Sequence, residues 1–350
     1  MKIQLKNLGI LKQTEFSLGD LTIICGGNNT GKTYATYALY GFLSFWREGF
    51  SIDIPETDIK QLLAEGVVHI SIPEYVKQAE YILKNGCREY AKLLPMVFAA
   101  PEDRFKETEF QVILAPGDIR LTDEYNRRIS SANAEHFSIT KSAGSPELIV
   151  TLLVEKDKIK IPTSIIKQFI GDALKKIIFG RLFPNPFIAS AERTGAAIFR
   201  KELNFARNRL LEEISQPEKN INPMDLLLKS YQDYALPVKS NVDFTRQLET
   251  IFKRNSFIKE NHPDVLSDFA GIIGGEYIVT RNDELYYVPK GKHLKLSMDE
   301  SSSAVRSLLD IGFYLRHVAQ PGDLIMIDEP ELNLHPENQC RVVRLFSRLV

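Results

Sequence analysis

Hydrophobic and polar residues alternate in period two along the first 24 residues of the chain, which predicts β-strands. The alternation covers three stretches, residues 3–5, 16–18 and 21–24, separated by Gly9 and the Gly19-Asp20 pair. The pattern predicts a hairpin followed by a third, buried strand. From residue 33 to 46 the apolar spacing becomes that of one helical face, interrupted only by Gly41. We therefore expect the third strand to lead into a long helix.

The rest of the chain changes pattern several times. Residues 57–95 and 196–270 have helical spacing, whereas 108–116, 147–154 and 158–162 resemble short strands, and 276–288 predicts a hairpin around Arg281-Asn282-Asp283. Residues 324–327 are apolar at every position, as in a parallel strand covered on both faces. Strands at both ends with helices between them predict an α/β sheet that the middle of the chain interrupts.

Composition and charge narrow the class of protein. The 350 residues carry 44 Lys and Arg against 45 Asp and Glu, so the formal net charge is −1 and no overall positive field attracts nucleic acid or anionic lipid. The three cysteines are far apart, which excludes a disulfide framework. The N-terminus lacks the apolar core of a signal peptide, and no run of about 18 apolar residues occurs. We expect a cytoplasmic protein with no membrane association.

One glycine-rich motif carries specific chemistry. Residues 26–33 fit G-x-x-x-x-G-K-[ST] between a predicted strand and a predicted helix. Gly26 and Gly31 allow the backbone to curl so that successive N–H groups form an anion nest. Lys32 then bridges the β- and γ-phosphates of ATP, and the Thr33 hydroxyl is a ligand of Mg²⁺. The backbone N–H groups between them complete the predicted phosphate site, at Asn28, Asn29 and Thr30.

A second motif is an acid pair after the last predicted strand. Asp328 and Glu329 follow the apolar residues 324–327 directly. A buried strand places such acids at the carboxyl edge of the sheet, where ligands bind in open α/β sheets. Asp328 is then a second Mg²⁺ ligand, and Glu329 orients and deprotonates the attacking water. The alternative for the pair alone is a solvated turn after a strand.

The two motifs and their flanking residues resemble a known family. MKIQLKNLGILKQTEFSLGDLTIICGGNNTGKT, followed much later by LIMIDEPELNLHPENQ, is similar to the ATPase heads of the ABC/SMC-like superfamily, in the branch of RecF-like and OLD-like ATPases. The hairpin GGEYIVTRNDELYYV and the segment LSMDESSSAVRSLLDIGFYL support this branch. The resemblance implies an α/β fold, an ABC-type P-loop ATPase head with a mixed β-sheet, interrupted by an inserted helical lobe.

The resemblance also implies a division of the chain. The ATPase head would comprise residues 1–55, 101–195 and 271–350, with the P-loop in the first part and the signature helix and acid pair in the last. A helical insertion would occupy 56–100, and a helical lobe 196–270. Related heads continue into a strand that ends in a switch histidine, and no residue here is assigned that role. We expect either a truncated head or a partner chain that completes the sheet.

Further site residues follow from position in the family pattern. The signature role is carried onto Ser301, Ser302 and Ser303, although L-S-G-G-Q is absent and the serines also suit a helix N-cap. Glu192, beside Arg193, is the positional candidate for the Q-loop residue, with an ordinary surface salt bridge as the alternative. Asn333 and His335 lie where the family has its D-loop, yet His335-Pro336 also suits a helix start.

The resemblance finally implies partners. Two heads would form a homodimer or higher oligomer around Mg²⁺ and ATP, and hydrolysis would control an effector protein, a nuclease or toxin, in anti-phage defence. The alternatives are a nucleotide-gated assembly scaffold with little hydrolysis and a RecF-like DNA-repair ATPase. DNA is a possible partner because residues 151–210 contain seven more Lys and Arg than Asp and Glu, although a solvated helical face would have the same charge.

Overall fold

The computed structural model describes residues 1–131, 134–153, 162–199, 234–280 and 284–350. Three predicted features lie wholly or partly outside these residues: 158–161 of the predicted strand, the turn at 281–283, and 200–233 of the predicted helical region 196–270. The chain divides into two compact units. The first unit consists of Met1–Leu18, Phe42–Leu93 and Glu107–Pro184, and the second of Gly19–Gly41, Leu94–Lys106 and Asn185–Val350.

The strands of the described residues, in chain order, are β1 Lys2–Leu8, β2 Leu11–Ser17, β3 Val67–Ser71, β4 Glu109–Ile113, β5 Tyr125–Ser131, β6 Ala134–Lys141, β7 Glu147–Leu152, β8 Pro186–Ala189, β9 Gly275–Val279, β10 Leu285–Pro289, β11 Leu296–Ser297 and β12 Leu324–Ile327.

The helices of the same residues are α1 Lys32–Gly49, α2 Glu56–Glu65, α3 Ile72–Lys77, α4 Ala79–Ala91, α5 Leu94–Phe98, α6 Thr163–Phe179, α7 Arg193–Ile198, α8 Leu236–Arg246, α9 Leu248–Ile251, α10 Phe257–Asn261, α11 Pro263–Ile273, α12 Ser303–Ser307, α13 Leu309–His317 and α14 Pro336–Ser347. The predicted long helix is confirmed as α1.

The first unit contains the predicted N-terminal hairpin. β1 pairs antiparallel with β2 and, on its other side, with β4, so both predicted strands and the one near residue 110 are confirmed. The alternation of apolar residues in β1 buries Ile3, Leu5 and Leu8. Gly9 has a φ of 57°, in the region that favours glycine, where the hairpin turns.

A second antiparallel sheet in this unit has the order β3-β7-β6-β5. Its strand β7 confirms a predicted strand, but β3 corrects the prediction of continuous helix over residues 57–95. Gly66 ends α2 with a φ of 81°, and alternate residues of the following segment, Val68 and Ile70, are buried. The sequence pattern at this point therefore has period two, which the mixed charge of the surrounding helices obscures.

Aromatic residues dominate the core of the first unit. Phe42 packs against Tyr90, Phe110 and Phe183 with ring centroids 5.0 to 5.4 Å apart. Such pairs stabilise a core beyond the area they bury. The helix α6 completes this core with a nearly continuous buried face.

The second unit is built around a parallel pair of strands. β12 pairs with β8, with Leu324 opposite Pro186 and Ile327 opposite Ala189, which confirms the predicted parallel strand at 324–327. The predicted hairpin is confirmed as β9 and β10, which pair antiparallel. Apolar residues of α11, α13 and these strands pack together in one hydrophobic core.

The segment before the glycine-rich motif differs from its prediction. Residues 21–24 are not a strand, and Leu21 and Ile23 are 52% and 74% exposed. A strand forms only where a neighbour accepts its backbone hydrogen bonds, and the described residues pair no strand with this segment. The apolar alternation is present, but the pairing that it predicts is not.

Two further expectations concern the whole chain. All three cysteines, Cys25, Cys87 and Cys340, are free. Among the residues that the structure describes, no helix has both the length and the apolar character needed to cross a lipid bilayer.

Candidate functional site

The glycine-rich motif forms an exposed loop that ends at the first residue of α1. Asn29 and Gly31 have φ values of 58° and 96°. The Thr30 hydroxyl donates to the carbonyl of Gly27 over 2.9 Å, which closes the loop. Left-handed residues within such a loop turn successive N–H groups toward one point and make an anion-binding nest. The following helix adds the positive end of its dipole.

The lysine of the motif folds back over the loop. The Lys32 ammonium donates to the carbonyl of Gly26 over 2.9 Å and to that of Gly27 over 2.7 Å. Its charge is thereby held at the loop whose N–H groups suit an anion. A cation on a flexible stem can exchange such carbonyl partners for phosphate oxygens.

The two sequence motifs meet in the structure. The Thr33 hydroxyl donates to a carboxylate oxygen of Asp328 over 3.0 Å, although the two residues are 295 positions apart. Asp328 is only 9% exposed. Burial raises the pKa of its carboxyl group, and the charge of Glu192 raises it further, while the bond from Thr33 lowers it. A cation beside this carboxylate would favour its charged form.

The parallel strands explain why these groups come together. The N–H of Asp328 donates to the carbonyl of Ala189 over 2.9 Å, one residue beyond the paired strands. The carboxyl ends of β8 and β12 therefore lie at one edge, and the residues that follow each strand are neighbours. The acid pair and the Glu192-Arg193 pair belong to this edge.

Glu192 is brought to the site by a tyrosine of α1. The hydroxyl of Tyr37 donates to its carboxylate over 3.2 Å. Burial and the charges of Glu192 and Asp328 hold the pKa of Tyr37 far above its ordinary value, so the phenol stays a donor. Glu192 itself is exposed, and its partner Tyr37 lies about one helical turn after Thr33 in α1.

Arg193 does not form the surface salt bridge that was the alternative for this pair. Its side chain is 1% exposed, and its guanidinium donates only to main-chain carbonyls among its described hydrogen bonds. Sequence reasoning placed Arg193 beside the site and missed these contacts. The sequence contains one signal for these contacts. In ASAER, the arginine follows a predicted strand after only three small or acidic residues, so it lies at the edge of the sheet.

Glu329 has an unusual backbone. Its φ is 49°, which costs a non-glycine residue about 1 to 3 kcal/mol. Its carbonyl accepts from Nη2 of Arg193 over 2.8 Å, and its side chain is exposed. The turn thus presents the Glu329 carboxylate to solvent directly beside the buried Asp328.

The predicted signature serines have local partners. Ser301 is buried and its hydroxyl donates to the carbonyl of Ser297 over 2.7 Å. Ser302 is the N-cap of α12, where its hydroxyl accepts from the N–H of Val305 over 3.3 Å. Ser303 is exposed at the first position of α12. No described hydrogen bond joins these serines to the P-loop of the same chain.

The predicted D-loop residues begin the next helix. His335 is the N-cap of α14, where Nδ1 accepts from the N–H of Glu337 over 3.4 Å, and Pro336 follows at the first turn. Asn333 has a φ of 61° and its amide donates to the hydroxyl of Thr194 over 3.4 Å. Both side chains are exposed.

The basic residues considered for DNA are only partly exposed. Within the described part of 151–210, Lys175 is 3% exposed and its ammonium donates to the carbonyl of Phe50, and Arg193 is buried as above. Arg181 is paired with Asp123 over 2.9 Å. Lys176 is exposed. Of these four positions, Lys175 and Arg193 are therefore buried, and Lys176 and Arg181 are exposed.

Thr33 and Asp328 suit magnesium in particular. No group of three His, Cys, Asp or Glu residues in the described parts of the chain is placed to hold a metal ion. Mg²⁺ needs no such cage, because it keeps several waters and takes one or two protein oxygens together with substrate phosphates. A hydroxyl and a carboxylate 3.0 Å apart beside an anion nest fit that requirement.

Comparison with known proteins agrees with this geometry. The sequence model of the AAA ATPase domain family (AAA_15) matches residues 1–350. No curated protein matches the chain. A whole-length family match, a P-loop at the start of α1 and an acid pair at the end of β12 lead to one conclusion: the chain belongs to the AAA ATPase domain family and has the fold of a P-loop ATPase.

Proposed function

We propose that this protein binds and hydrolyses ATP at the site formed by the P-loop and the acid pair. The observation that carries the proposal is the hydrogen bond from Thr33 to Asp328, which joins the two motifs. Phosphoryl transfer depends mainly on positioning and on charge stabilisation, and this site supplies both kinds of group.

Each residue has a distinct task in this proposal. The loop N–H groups and Lys32 hold the phosphates, and Thr33 and Asp328 hold Mg²⁺. The metal ion supplies charge neutralisation at the phosphate oxygens when it is bound. Glu329 orients the attacking water and accepts its proton, because it is the exposed acid beside the buried Asp328.

The proposal extends to an ATP-driven assembly. The RecF/OLD-like branch, suggested by the sequence resemblance, works through two heads that enclose ATP between the P-loop of one and the signature segment of the other. Here Ser302 and Ser303 are exposed, and so are Asn333 and His335. A homodimer or higher oligomer would place these groups against the partner's nucleotide. The two regions predicted as insertions, 56–100 and 196–270, would transmit closure to an effector, a nuclease or toxin of an anti-phage system.

The test combines solution mass with turnover. Light scattering and phosphate release are measured for wild type and Glu329→Gln, with and without Mg²⁺ and ATP. We expect ATP to increase the mass, more persistently in Glu329→Gln, because binding is kept while hydrolysis stops. Turnover should fall about 10²-fold or more, the scale of losing a general base.

The matched control is Glu331→Gln, which removes an exposed acid two positions further along the same turn. It should hydrolyse ATP and assemble as wild type does. Equal turnover in wild type and Glu329→Gln would contradict the hydrolysis proposal, and an ATP-driven assembly without turnover would favour the scaffold function. A mass that stays constant while ATP binds would contradict the sandwich.

A further inference from the structure

One buried arginine connects three parts of the second unit. The Nε–H of Arg193 donates to the carbonyl of Ser307 over 2.7 Å. Its Nη1 donates to the carbonyls of Ser190 and Asp328 over 2.8 and 2.6 Å, and Nη2 donates to that of Glu329 over 2.8 Å. A planar guanidinium can hold several acceptors in fixed directions, which a single ammonium cannot.

These acceptors belong to segments with different tasks. Ser307 is the last residue of α12, the short helix that begins directly after the candidate signature residue Ser302. Asp328 and Glu329 form the acid turn. The side chain of Arg193, which is 1% exposed, therefore donates hydrogen bonds both to the end of the signature helix and to the backbone of the acid turn.

A buried acid of α13, Asp310, interacts electrostatically with Arg193. Asp310, in the first turn of α13, is 1% exposed, and neither of its carboxyl oxygens has a hydrogen-bond partner in the structure. Burial lowers the pKa of Arg193, and the charges of Asp310, Asp328 and Glu329 oppose that effect. A buried cation with an unpaired carboxylate beside it is costly to maintain for stability alone.

The strained backbone of Glu329 needs the support that Arg193 provides. With a φ of 49°, Glu329 is in a conformation that persists only where its surroundings enforce it. The bonds from Arg193 to the carbonyls of Asp328 and Glu329 supply that enforcement. Since the same guanidinium bonds Ser307, a shift of α12 changes the support of the acid turn.

We propose that Arg193 is a positioning residue that sets the Glu329 carboxylate for hydrolysis and makes its position depend on the signature helix. This inference rests on the proposed function. Arg193 donates no described hydrogen bond to the P-loop or to Lys32, and its bond to Asp328 is to the main-chain carbonyl, while Thr33 holds the Asp328 side chain. We therefore expect nucleotide binding to depend on Arg193 much less than hydrolysis does. The binding and hydrolysis steps are therefore separable at this residue.

The experiment compares Arg193→Lys with wild type in two measurements. A fluorescent ATP analogue with Mg²⁺ gives the Kd and the fraction of competent sites, and phosphate release per competent site gives kcat. We expect kcat to fall about 10²-fold, the cost of misplacing a catalytic group by about 1 Å. The Kd should stay within about threefold, because the phosphate-binding groups are unchanged and the Asp328 carboxylate keeps its bond from Thr33.

Two further variants separate positioning from loss of folding. Lys175→Met removes another buried cation that donates to main-chain carbonyls, in the first unit, and should leave kcat per competent site unchanged. Asp310→Asn keeps Arg193 and its carbonyl bonds but removes the facing charge, so kcat measured at pH 8 should fall less than in Arg193→Lys, with the same Kd. It serves as the test if Arg193→Lys does not fold.

The outcomes distinguish this inference from the proposed function. If wild type hydrolyses ATP, Glu329→Gln does not, and both Arg193→Lys and Asp310→Asn keep the wild-type kcat, the positioning role is wrong while the ATPase site stands. If Arg193→Lys and Lys175→Met lose kcat equally, Arg193 is structural only. If wild type and Glu329→Gln turn over equally, the proposed function itself fails.

Discussion

At the scale of single residues, the burial of a carboxyl group has a measurable effect on stability. Burial raises the pKa of Asp310 to about 7, against the opposing charge of Arg193. In an unfolded chain an aspartate has a pKa of about 3.9. The folded protein therefore binds a proton at Asp310 more tightly than the unfolded chain does between these two values.

This difference predicts how stability depends on pH. The contribution of Asp310 is fully present below about pH 4 and is lost as the pH rises through about 7, by ~1.4 kcal/mol per pH unit in that interval. Asp310→Asn should remove this loss. Urea unfolding at pH 5 and pH 8 measures it, and we expect the variant to gain stability over wild type at the higher pH.

The control for this effect is again Glu331→Gln, because Glu331 is exposed. Its unfolding midpoint should follow that of wild type at both pH values. An Asp310→Asn variant whose midpoint also follows wild type would mean that Asp310 carries no such proton-linked cost.

At the scale of elements, Ser302 has two possible tasks that one substitution separates. It caps α12, and the sequence resemblance makes it a candidate contact for a partner's γ-phosphate. Aspartate is as good an N-cap as serine, whereas its charge repels a phosphate.

We expect Ser302→Asp to keep the thermal stability of wild type and to abolish ATP-driven assembly. Ser302→Ala, the matched variant, should lose about 1 kcal/mol of stability, because the cap is removed without adding a charge. Thermal unfolding and light scattering with Mg²⁺ and ATP check both. A Ser302→Asp protein that assembles normally would leave Ser302 as a helix cap only.

Elements with a strong local pattern were predicted from the sequence. Four such elements have a period or an apolar run that their own residues determine: the hairpin of β1 and β2, the helix α1, the hairpin of β9 and β10, and the strand β12. The P-loop and the acid pair could be found for the same reason, since each is a short contiguous motif beside such an element.

The predictions that were wrong depended on distant partners. Residues 21–24 have the alternation of a strand but pair with none, and β3 is a strand within a stretch of helical composition because β7 lies beside it. Three of the four described hydrogen bonds of Arg193 reach residues 114 to 136 positions away, which no local pattern contains. The sequence indicated candidate site residues, and the structure adds the distant contacts that hold them in place.

At the scale of the whole molecule, neither unit is a contiguous piece of chain. Each consists of three segments, and α1 begins in the second unit and continues into the first. The two units share a helix, and their segments alternate along the chain. We therefore expect them to unfold together, because neither can lose its structure without disturbing a segment of the other.

Gly171 provides the test of joint unfolding. A Cβ at this position of α6 would lie 2.6 Å from the carbonyl oxygen of Ile52, so Gly171→Ala should lose about 1 to 3 kcal/mol by overpacking. The single tryptophan, Trp46, is buried in the first unit and reports its unfolding. Nucleotide binding reports the second unit, and we expect both urea midpoints to fall together in Gly171→Ala.

The matched control is Gly195→Ala in α7, where an added Cβ has nothing within 4 Å. It should keep both midpoints at or slightly above their wild-type values, since alanine favours helix over glycine. Separate midpoints for tryptophan fluorescence and nucleotide binding, with only the first lowered by Gly171→Ala, would show that the two units unfold independently.

The bond between Thr33 and Asp328 has a consequence for how the protein is made. The two residues are 295 positions apart. At about 5 to 20 residues per second, the ribosome needs roughly 15 to 60 s to reach Asp328 after Thr33 has been added. Throughout that time the phosphate loop exists without its carboxylate partner. A newly made chain can therefore join its two motifs only after Asp328 has been added, and a chain that stops before the acid turn lacks the carboxylate partner of Thr33.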